Sequence, residues 1–550
     1  MKRAPTAASA PRVGLQGALA RYELEKYPEA KAILIKLKAT KEAGDEFKQH
    51  VSFLMGECLR QEEDYKTAAI SYDEARKIKG SFTMEAHYRL GYVLFLTKEY
   101  TKAITELTTF IAAHKDSEHL PRANLYLGRS YLETKNAQAV TFLTKLVPDA
   151  KLGAEAALWL GRLHLRAKDY VKAEAALKPV IARFATSELI SDLNYDYATA
   201  LMQGEKFVEA TPIFAKVDKK GPQAANSIWM ESYCLHQTKK FDLSLARCEI
   251  FLATYKDDGN INEVVFLRAE NLFLLERFAD AVVSYEVVLK AKGVALERLD
   301  VVRFRVGQIR YQEQKWPEAL TMLEPLLPKN LATPTFAQLK YVAGDCYFKQ
   351  ENWAKAITMF IAFTATQAKD PNAALAFFKL GKSYESSKNA ALALTTLRKM
   401  LTSYPKSEHV PHASVELGRL LYEGKLYPEA KKVLLTAANT EFAPHSTYYL
   451  GYVALAEDDQ VLAIKNFETL VTKHATHELA PDATLQYGKL LVLTGDFVKS
   501  KTTLDAFIKK LPTHPKAEQA QFYLGISLAR QDSYAEALPR FEVILAKGKT

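Results

Sequence analysis

A small residue returns to one fixed slot along this chain, and this repetition constrains the fold more than any other feature of the sequence. The slot is filled by Gly56, Gly91, Gly128, Gly161, Gly307, Gly344, Gly381, Gly418, Gly451, Gly488 and Gly525. Ala18, Ala198, Ser232 and Ala269 fill the remaining cycles. A period of about 33–38 residues predicts stacked supersecondary units, because one such unit cannot bury its apolar face alone.

Two further slots follow the small one in most cycles. Nine residues later comes an aromatic: Tyr27, Tyr65, Tyr100, Tyr170, Phe207, Phe241, Phe278, Trp316, Trp353, Tyr427, Phe497 and Tyr534. Three residues further on comes alanine in most cycles, as at Ala30. A small residue on one helix opposite alanine on the next lets two helices approach closely. Pro28 directly after Tyr27 suits the first turn of a helix, where no amide donor is needed. Each cycle is therefore predicted to be helix, turn, helix.

These slots resemble the tetratricopeptide repeat, and residues 124–131, Asn-Leu-Tyr-Leu-Gly-Arg-Ser-Tyr, are similar to its first helix as they stand. The resemblance implies an all-α fold: an α-solenoid, a right-handed superhelix of about 15 repeats. We expect a continuous solenoid over residues 11–547, after a disordered segment at residues 1–10. Two departures, the one-residue slip at Ala137–Ala139 and Gln460 in the aromatic slot, put only the local twist in doubt.

The charge of the chain is spread along it. The net charge is +10, of which residues 1–50 carry +4 and residues 501–550 carry +3. A dispersed charge makes nucleic acid an unlikely partner, but a basic helical solenoid that binds RNA or another anionic polymer stays open as the alternative function. No apolar stretch approaches the ~18 residues of a membrane span, and no apolar segment follows Met1-Lys2-Arg3, so we expect neither a span nor a signal peptide in this chain.

In the tetratricopeptide family the first helices line a concave groove. The resemblance implies that four positions of each first helix face this groove: three residues before the small slot, and one, four and five residues after it. The resulting candidates, to which His445 is added, are Tyr88, Tyr92, Phe95, Arg129, Arg162, Arg166, Tyr195, Trp229, Arg419, Tyr422, Tyr448 and Tyr452. We predict that a protein or peptide lies there, with apolar side chains on the aromatics and an acidic segment on the arginines. Alternatively, the aromatics pack between neighbouring first helices, and the arginines pair with Glu133 and Glu155 on the same helices.

The sequence offers no chemistry for catalysis. It has no hydrolase, zinc-protease or dinucleotide signature, and its four cysteines are dispersed. Only Cys234 and Cys248 could bond, if they face each other in one hairpin. His409 with His412 and His474 with His477 have metal-ligand spacing but no third ligand, so we assign no metal site. We expect a scaffold without enzymatic activity, cofactor or small-molecule substrate.

Two units carry a more specific resemblance. Residues 400–407, Met-Leu-Thr-Ser-Tyr-Pro-Lys-Ser, and residues 180–187 are similar to repeats of bacterial envelope proteins such as the barrel-assembly lipoprotein and the Tol-Pal-associated coordinator. The resemblance implies a role in bacterial cell-envelope assembly and a periplasmic location, with a cytoplasmic location as the alternative. No polar helix follows Phe541 and Ile544, so we also expect truncation, a docked partner or self-association through the last repeat.

Overall fold

The computed structural model describes residues 10–40, 44–329, 331 and 333–547, which contain 30 α-helices and no strand. The first helices of the hairpins are α1 (Ala10–Glu23), α3 (Asp45–Gln61), α5 (Thr83–Leu96), α7 (Leu120–Glu133), α9 (Gly153–Arg166), α11 (Ile190–Gln203), α13 (Ala224–Gln237), α15 (Ile261–Leu274), α17 (Leu296–Gln312), α19 (Leu339–Lys349), α21 (Ala373–Ser386), α23 (Val410–Glu423), α25 (Ala443–Ala456), α27 (Ala480–Thr494) and α29 (Ala517–Ala529). The second helices are α2 (Tyr27–Lys38), α4 (Tyr65–Lys77), α6 (Tyr100–Ala113), α8 (Gln138–Leu146), α10 (Tyr170–Arg183), α12 (Phe207–Phe214), α14 (Phe241–Thr254), α16 (Phe278–Lys290), α18 (Trp316–Leu323), α20 (Trp353–Thr366), α22 (Ala390–Ser403), α24 (Tyr427–Leu434), α26 (Gln460–Lys473), α28 (Phe497–Lys510) and α30 (Tyr534–Lys547).

The helices form fifteen hairpins, which confirms the prediction of an α-solenoid built from helix–turn–helix repeats. The chain divides into two compact units, Met1–Lys292 with the first eight hairpins and Gly293–Thr550 with the last seven. Within each unit every helix packs against the next, and many first helices also lie against the first helix of the following hairpin. Residues 1–9 of the predicted disordered segment lie outside the described residues, and Ala10 is already helical. Continuity of the solenoid across Lys292 stays a prediction.

The small slot is needed because a large side chain lies directly on it. A Cβ added to Gly418 would come within 2.4 Å of Leu434 Cγ, and one added to Gly451 within 2.7 Å of Phe467 Cζ. In both cases the large residue follows the glycine by sixteen positions and belongs to the second helix of the same hairpin. The sequence analysis placed alanine opposite the glycine, and the larger residue was missed. In the hairpin of α7 and α8 the spacing is fifteen, with Leu143 over Gly128, which confirms the one-residue slip.

Serine in the alanine slot shows how closely the two helix backbones approach. Ser244 Oγ donates to the carbonyl of Ser232 at 2.7 Å, and Ser500 Oγ donates to the carbonyl of Gly488 at 3.0 Å. Both bonds join the alanine slot to the small slot of the same hairpin. The close approach predicted from these two slots is therefore present.

Every hairpin turn contains a residue with positive φ, two positions before the second helix begins, or three in the case of Lys135 before α8. The residue is Glu25, Glu63, Lys98, Lys135, Lys168, Glu205, Lys239, Glu276, Gln314, Glu351, Lys388, Lys425, Asp458, Gly495 or Asp532. The amide of the next residue bonds back to a carbonyl in the last turn of the first helix, as Leu426 N does to Leu421 O at 2.8 Å. This is the Schellman end of a helix, a position that usually takes glycine. Only Gly495 is a glycine, so the other fourteen turns carry strain.

We expect replacement of Lys425 by glycine to stabilise its hairpin. Lys425 is exposed and has φ of 60°. Left-handed backbone costs an L-residue about 1–2 kcal/mol, while glycine loses about 0.5–1 kcal/mol of chain entropy, so the net gain is about 0.5–1 kcal/mol. Hydrogen exchange of the amides in α23 and α24 measures it locally. The reverse change, Gly495→Lys, is the matched control and should destabilise α27 and α28 by a similar amount.

Candidate functional site

The first-helix face is the surface that carries the positions three before and one, four and five after the small slot. In the unit of the first eight hairpins, rings on this face contact rings of the next hairpin. Tyr88 stacks on His119 with ring centroids 4.3 Å apart, and Tyr92 lies 4.8 Å from Tyr126. The guanidinium of Arg129 lies over the rings of Phe95 at 4.6 Å and Trp159 at 4.2 Å. Tyr88, Tyr92 and Phe95 thus form a row with rings of the following hairpins, in which Tyr88 and Phe95 are buried.

The three arginines predicted on this row already have carboxylate partners. Arg129 lies 3.0 Å from Glu155, and Arg166 lies 3.2 Å from Glu133. Arg162 donates from Nε to Asp196 at 2.7 Å. Burial raises the pKa of the Asp196 carboxyl, although Arg162 opposes the rise. Pairing with Glu133 and Glu155 was anticipated, but it joins neighbouring first helices and not residues of the same helix as expected.

The remaining two candidates of this unit lie further along the same face. Tyr195 and Trp229 are both half-buried. The ring of Tyr195 lies 6.2 Å from that of Phe214, and Trp229 packs against the buried cluster that contains Phe251.

The candidates of the second unit form a similar cluster. Arg419 lies 3.0 Å from Glu416 and 2.8 Å from Glu423, and it also contacts Glu385. The ring of Tyr422 lies 6.0 Å from that of Tyr452. The fold therefore also brings this second set of candidates together, and Arg419 is paired with three carboxylates.

Asp482 is the centre of a small polar network beside this cluster. Tyr448 donates to its carboxylate at 2.8 Å and Tyr452 at 2.6 Å, while Lys516 lies 3.1 Å away. Burial alone would raise the pKa of Asp482, but the two tyrosine hydrogen bonds and Lys516 lower it. His445 lies outside this network, with its ring 4.7 Å from that of His477. Whether any of these residues binds a partner stays a prediction.

A groove that the sequence analysis did not single out lies on the first-helix face of the first three hairpins. It has a volume of about 620 Å³ between α1, α3 and α5. Its apolar lining comes from Leu15, Leu19, Tyr22, Phe53, Leu54, Phe82 and Met84. Leu19 and Met84 are each 38% exposed. Leu15, Leu19, Tyr22 and Phe53 occupy the same slot positions as the other candidates, so the positional rule could have found them. We call this cleft the hairpin 1–3 groove.

The charged side chains that line the hairpin 1–3 groove are mainly acidic. Glu23, Glu57 and Glu85 contribute carboxylates, and Arg89 contributes the only guanidinium of the lining. Arg89 Nε lies 3.2 Å from Glu57 and 3.0 Å from Glu85. Burial alone would raise the pKa of Glu57, but the hydrogen bond from Arg60 and the charge of Arg89 lower it, so this carboxylate is charged at neutral pH. The groove therefore combines an apolar floor with a net negative edge.

The four cysteines, Cys58, Cys234, Cys248 and Cys346, are buried in helices and unbonded. The bond between Cys234 and Cys248 that the sequence left open is not formed. Burial raises the pKa of each thiol to about 12. A thiol with so high a pKa is a poor nucleophile and metal ligand. The cysteines therefore act as small core residues.

Of the helices formed by residues 10–40, 44–329, 331 and 333–547, none combines the length and apolar character that a transmembrane span requires.

Comparisons with known proteins agree with the hairpin architecture. The family model described as tetratricopeptide repeat matches residues 85–117 and 375–407. The YfiO family model, described as outer membrane lipoprotein, matches residues 440–540. No protein among the curated ones compared matches the sequence. The two family models confirm tetratricopeptide repeats and a resemblance to bacterial envelope lipoproteins.

Solved structures with similar helix arrangements are distant. The C-terminal part of a tetratricopeptide repeat-containing protein from Cytophaga hutchinsonii is 16% identical with a TM-score of 0.33, covering 52% of this chain and 98% of its own. The Naa15/Naa10 complex bound to HypK-THB is 14% identical with a TM-score of 0.32, covering 98% and 94%. Pseudomonas aeruginosa pilF is 14% identical with a TM-score of 0.30, covering 40% and 95%. The fold is established by the hairpins and the family matches independently of these likenesses.

Proposed function

We propose that this chain, a tetratricopeptide-repeat protein, is a non-enzymatic scaffold that holds a peptide segment of a partner protein in the hairpin 1–3 groove. The observation that carries the proposal is the apolar surface left open there. Leu19 and Met84 are each 38% exposed above a floor that includes Phe53. Elsewhere on the first-helix face, the aromatics of the other candidates pack on neighbouring rings or buried side chains, as Tyr92 does on Tyr126 and Tyr195 on Phe214. The groove therefore offers apolar side chains of a partner a surface that the described residues of the chain leave unfilled.

The lining of the groove favours a particular kind of partner. Glu57 and Glu85 are paired with Arg89, and Glu57 also with Arg60 from outside the lining, but three carboxylates still outnumber these two guanidiniums, which leaves a negative edge beside the apolar floor. A segment with apolar side chains next to lysine or arginine complements both parts. An acidic segment on Arg129, Arg162 and Arg166 is less favoured, because each of these arginines would have to exchange an existing carboxylate for a new one. The same pairing argues against RNA on this face, since phosphate binding needs available cations.

An envelope role is the more specific part of the proposal. The family model of outer membrane lipoproteins matches residues 440–540, which supports assembly work in the bacterial envelope and a periplasmic location. Fractionation of cells that produce the protein from its native gene, followed by immunodetection, tests the location. Recovery with the cytoplasmic markers would contradict it and leave the groove proposal untouched.

We expect the binding of peptides to the full chain to require the hairpin 1–3 groove. Peptides selected from a random display library against the whole protein should be rich in apolar residues flanked by basic ones. We expect the double variant Leu19→Ser, Met84→Ser to bind them at least about tenfold more weakly, because burial of one such side chain contributes about 1.5–3 kcal/mol. Titration by fluorescence anisotropy measures the loss.

Val208→Ser is the matched control for this titration. Val208 lies on the second helix α12, is 67% exposed and does not line the groove. Its replacement should leave peptide affinity unchanged, and circular dichroism of all variants checks the fold. Equal affinity for the wild-type chain and the double variant would show that the groove is not the binding site.

A further inference from the structure

We infer a second, independent site: a divalent transition-metal site formed by His445, His477 and Glu478. One ligand atom from each of these residues can be chosen so that all three lie within 4.8 Å of one another. His445 Nε2 lies 3.7 Å from Glu478 Oε1, and the two imidazole rings are 4.7 Å apart. His445 belongs to the first turn of α25, whereas His477 and Glu478 immediately precede α27. The site thus joins two neighbouring hairpins.

The ligand set suits an ion of the zinc type. Imidazole nitrogens and a carboxylate oxygen coordinate Zn²⁺ at about 2.0–2.2 Å, which places the ligand atoms of a tetrahedral site about 3.3 Å apart. The three ligand atoms, which lie within 4.8 Å of one another, can reach this spacing of about 3.3 Å by side-chain rotation. The Glu478 side chain is 79% exposed and the His445 side chain 35% exposed, so both have room to rotate. Three protein ligands leave the fourth position to water. Soft thiolates are absent from the set, and two imidazoles disfavour Ca²⁺ and Mg²⁺.

A second observation also points to a bound group. His445 Nδ1 is buried and has no hydrogen-bond partner among the residues that the structure describes. Buried polar atoms without a protein partner are rare in native proteins, and where they occur an ion or a water molecule often binds them. The other nitrogen of this ring, Nε2, lies 3.7 Å from Glu478 Oε1, beyond hydrogen-bond distance, and is the nitrogen available to an ion at this cluster.

Coordination would cost one existing interaction. His477 Nδ1 accepts a hydrogen bond from Leu479 N at 3.2 Å, which leaves the proton of the neutral ring on Nε2. An ion held by Nε2 displaces that proton to Nδ1 and ends the bond to Leu479. The ion therefore competes with the long hydrogen bond between Leu479 N and His477 Nδ1, and we expect it to bind reversibly.

The site follows from the fold and not from local spacing. His474 and His477, the pair with i,i+3 spacing, do not form it together. His445 lies 32 positions before His477, about the length of one repeat, and only the stacking of hairpins brings the two rings together. An ion at this place would fasten α25 to the segment that precedes α27.

Zinc binding to the untagged full chain tests the inference. Isothermal titration with Zn²⁺ should show saturable binding of one ion, and Co²⁺ in its place should give the visible absorption of a low-coordinate site. We expect His445→Ala and His477→Ala each to weaken binding more than about tenfold. Glu478→Gln, at an exposed side chain that the fold does not need, should also weaken it. The melting temperature of the wild-type chain should rise with Zn²⁺ and that of the variants should not.

His474→Ala is the matched control, because His474 lies in the same inter-hairpin corner but outside the cluster. It should bind zinc as the wild-type chain does. Absence of saturable binding to the wild-type chain, unchanged affinity in His445→Ala and His477→Ala, or an equal loss in His474→Ala would each overturn the inference. Since the groove is not involved, none of these outcomes bears on peptide binding.

Discussion

Replacement of Lys379 by methionine is expected to destabilise its part of the chain by about 3–5 kcal/mol, the cost of leaving a buried charge without its partner. Lys379 Nζ lies 2.6 Å from Asp345 Oδ1, and Asp345 is only 2% exposed. Tyr311 donates to the other carboxylate oxygen at 2.6 Å but carries no charge. Burial lowers the pKa of Lys379, although Asp345 opposes this. Methionine keeps the length of the side chain, so the loss is mainly electrostatic.

A double variant separates the charge from the packing. In Asp345→Asn, Lys379→Met no buried charge is left at this pair, and we expect much of the lost stability to return. Hydrogen exchange across α17, α19 and α21 is the suitable measurement, since a long repeat array does not unfold as one two-state unit. A double variant no more stable than Lys379→Met alone would contradict this account.

Gly418→Ala is expected to destabilise the hairpin of α23 and α24 by about 1–3 kcal/mol, through overpacking. The added methyl would lie 2.4 Å from Leu434 Cγ, and a branched carbon close to the backbone cannot rotate away. Helix propensity alone would favour alanine by about 1 kcal/mol, so the sign of the effect identifies the contact. Exchange rates of the α23 and α24 amides report the change.

Gly344→Ala is the matched control for the overpacking prediction. Its added methyl would meet Phe360 Cε1 at 3.0 Å and Met359 Cβ at 3.1 Å, both farther away than the 2.4 Å contact at Gly418. We expect a smaller effect than at Gly418. Equal effects at the two positions, or stabilisation at Gly418, would show that the slot is not set by contact with the second helix.

The hairpins were predictable because their signals are local and repeated. Gly91, Tyr100 and Ala103 predict a close helix pair by spacing alone, and the structure has it. The sixteen-residue contact was missed because leucine at such positions as Leu107 does not stand out among the other apolar residues. The positive-φ turns were missed because glycine usually marks such a turn, and Lys388 and most of its equivalents are not glycine.

The candidate sites were predictable only in part. The positional rule grouped Tyr88, Tyr92 and Arg129 because one slot number fixes the direction of a helical side chain, and whether they bind a partner stays a prediction. It could not show that Arg129 would pair with Glu155 of the next hairpin. Phe82 in the groove and His445 beside His477 depend on how neighbouring hairpins stack, and that information is not in any single repeat.

The pairs that bridge neighbouring hairpins restrict how such an array can evolve. Arg129 on α7 depends on Glu155 on α9, while Arg162 on α9 depends on Asp196 on α11. The hairpin of α9 and α10 thus holds one half of two different ion pairs. Glu155 and Asp192 each precede the small slot of their hairpin by six positions, so deletion of this hairpin would set Arg129 against Asp192, and its duplication would place Arg162 opposite a second Glu155. Both changes keep a basic residue opposite an acidic one, whereas gain or loss of part of a hairpin would break the pairs.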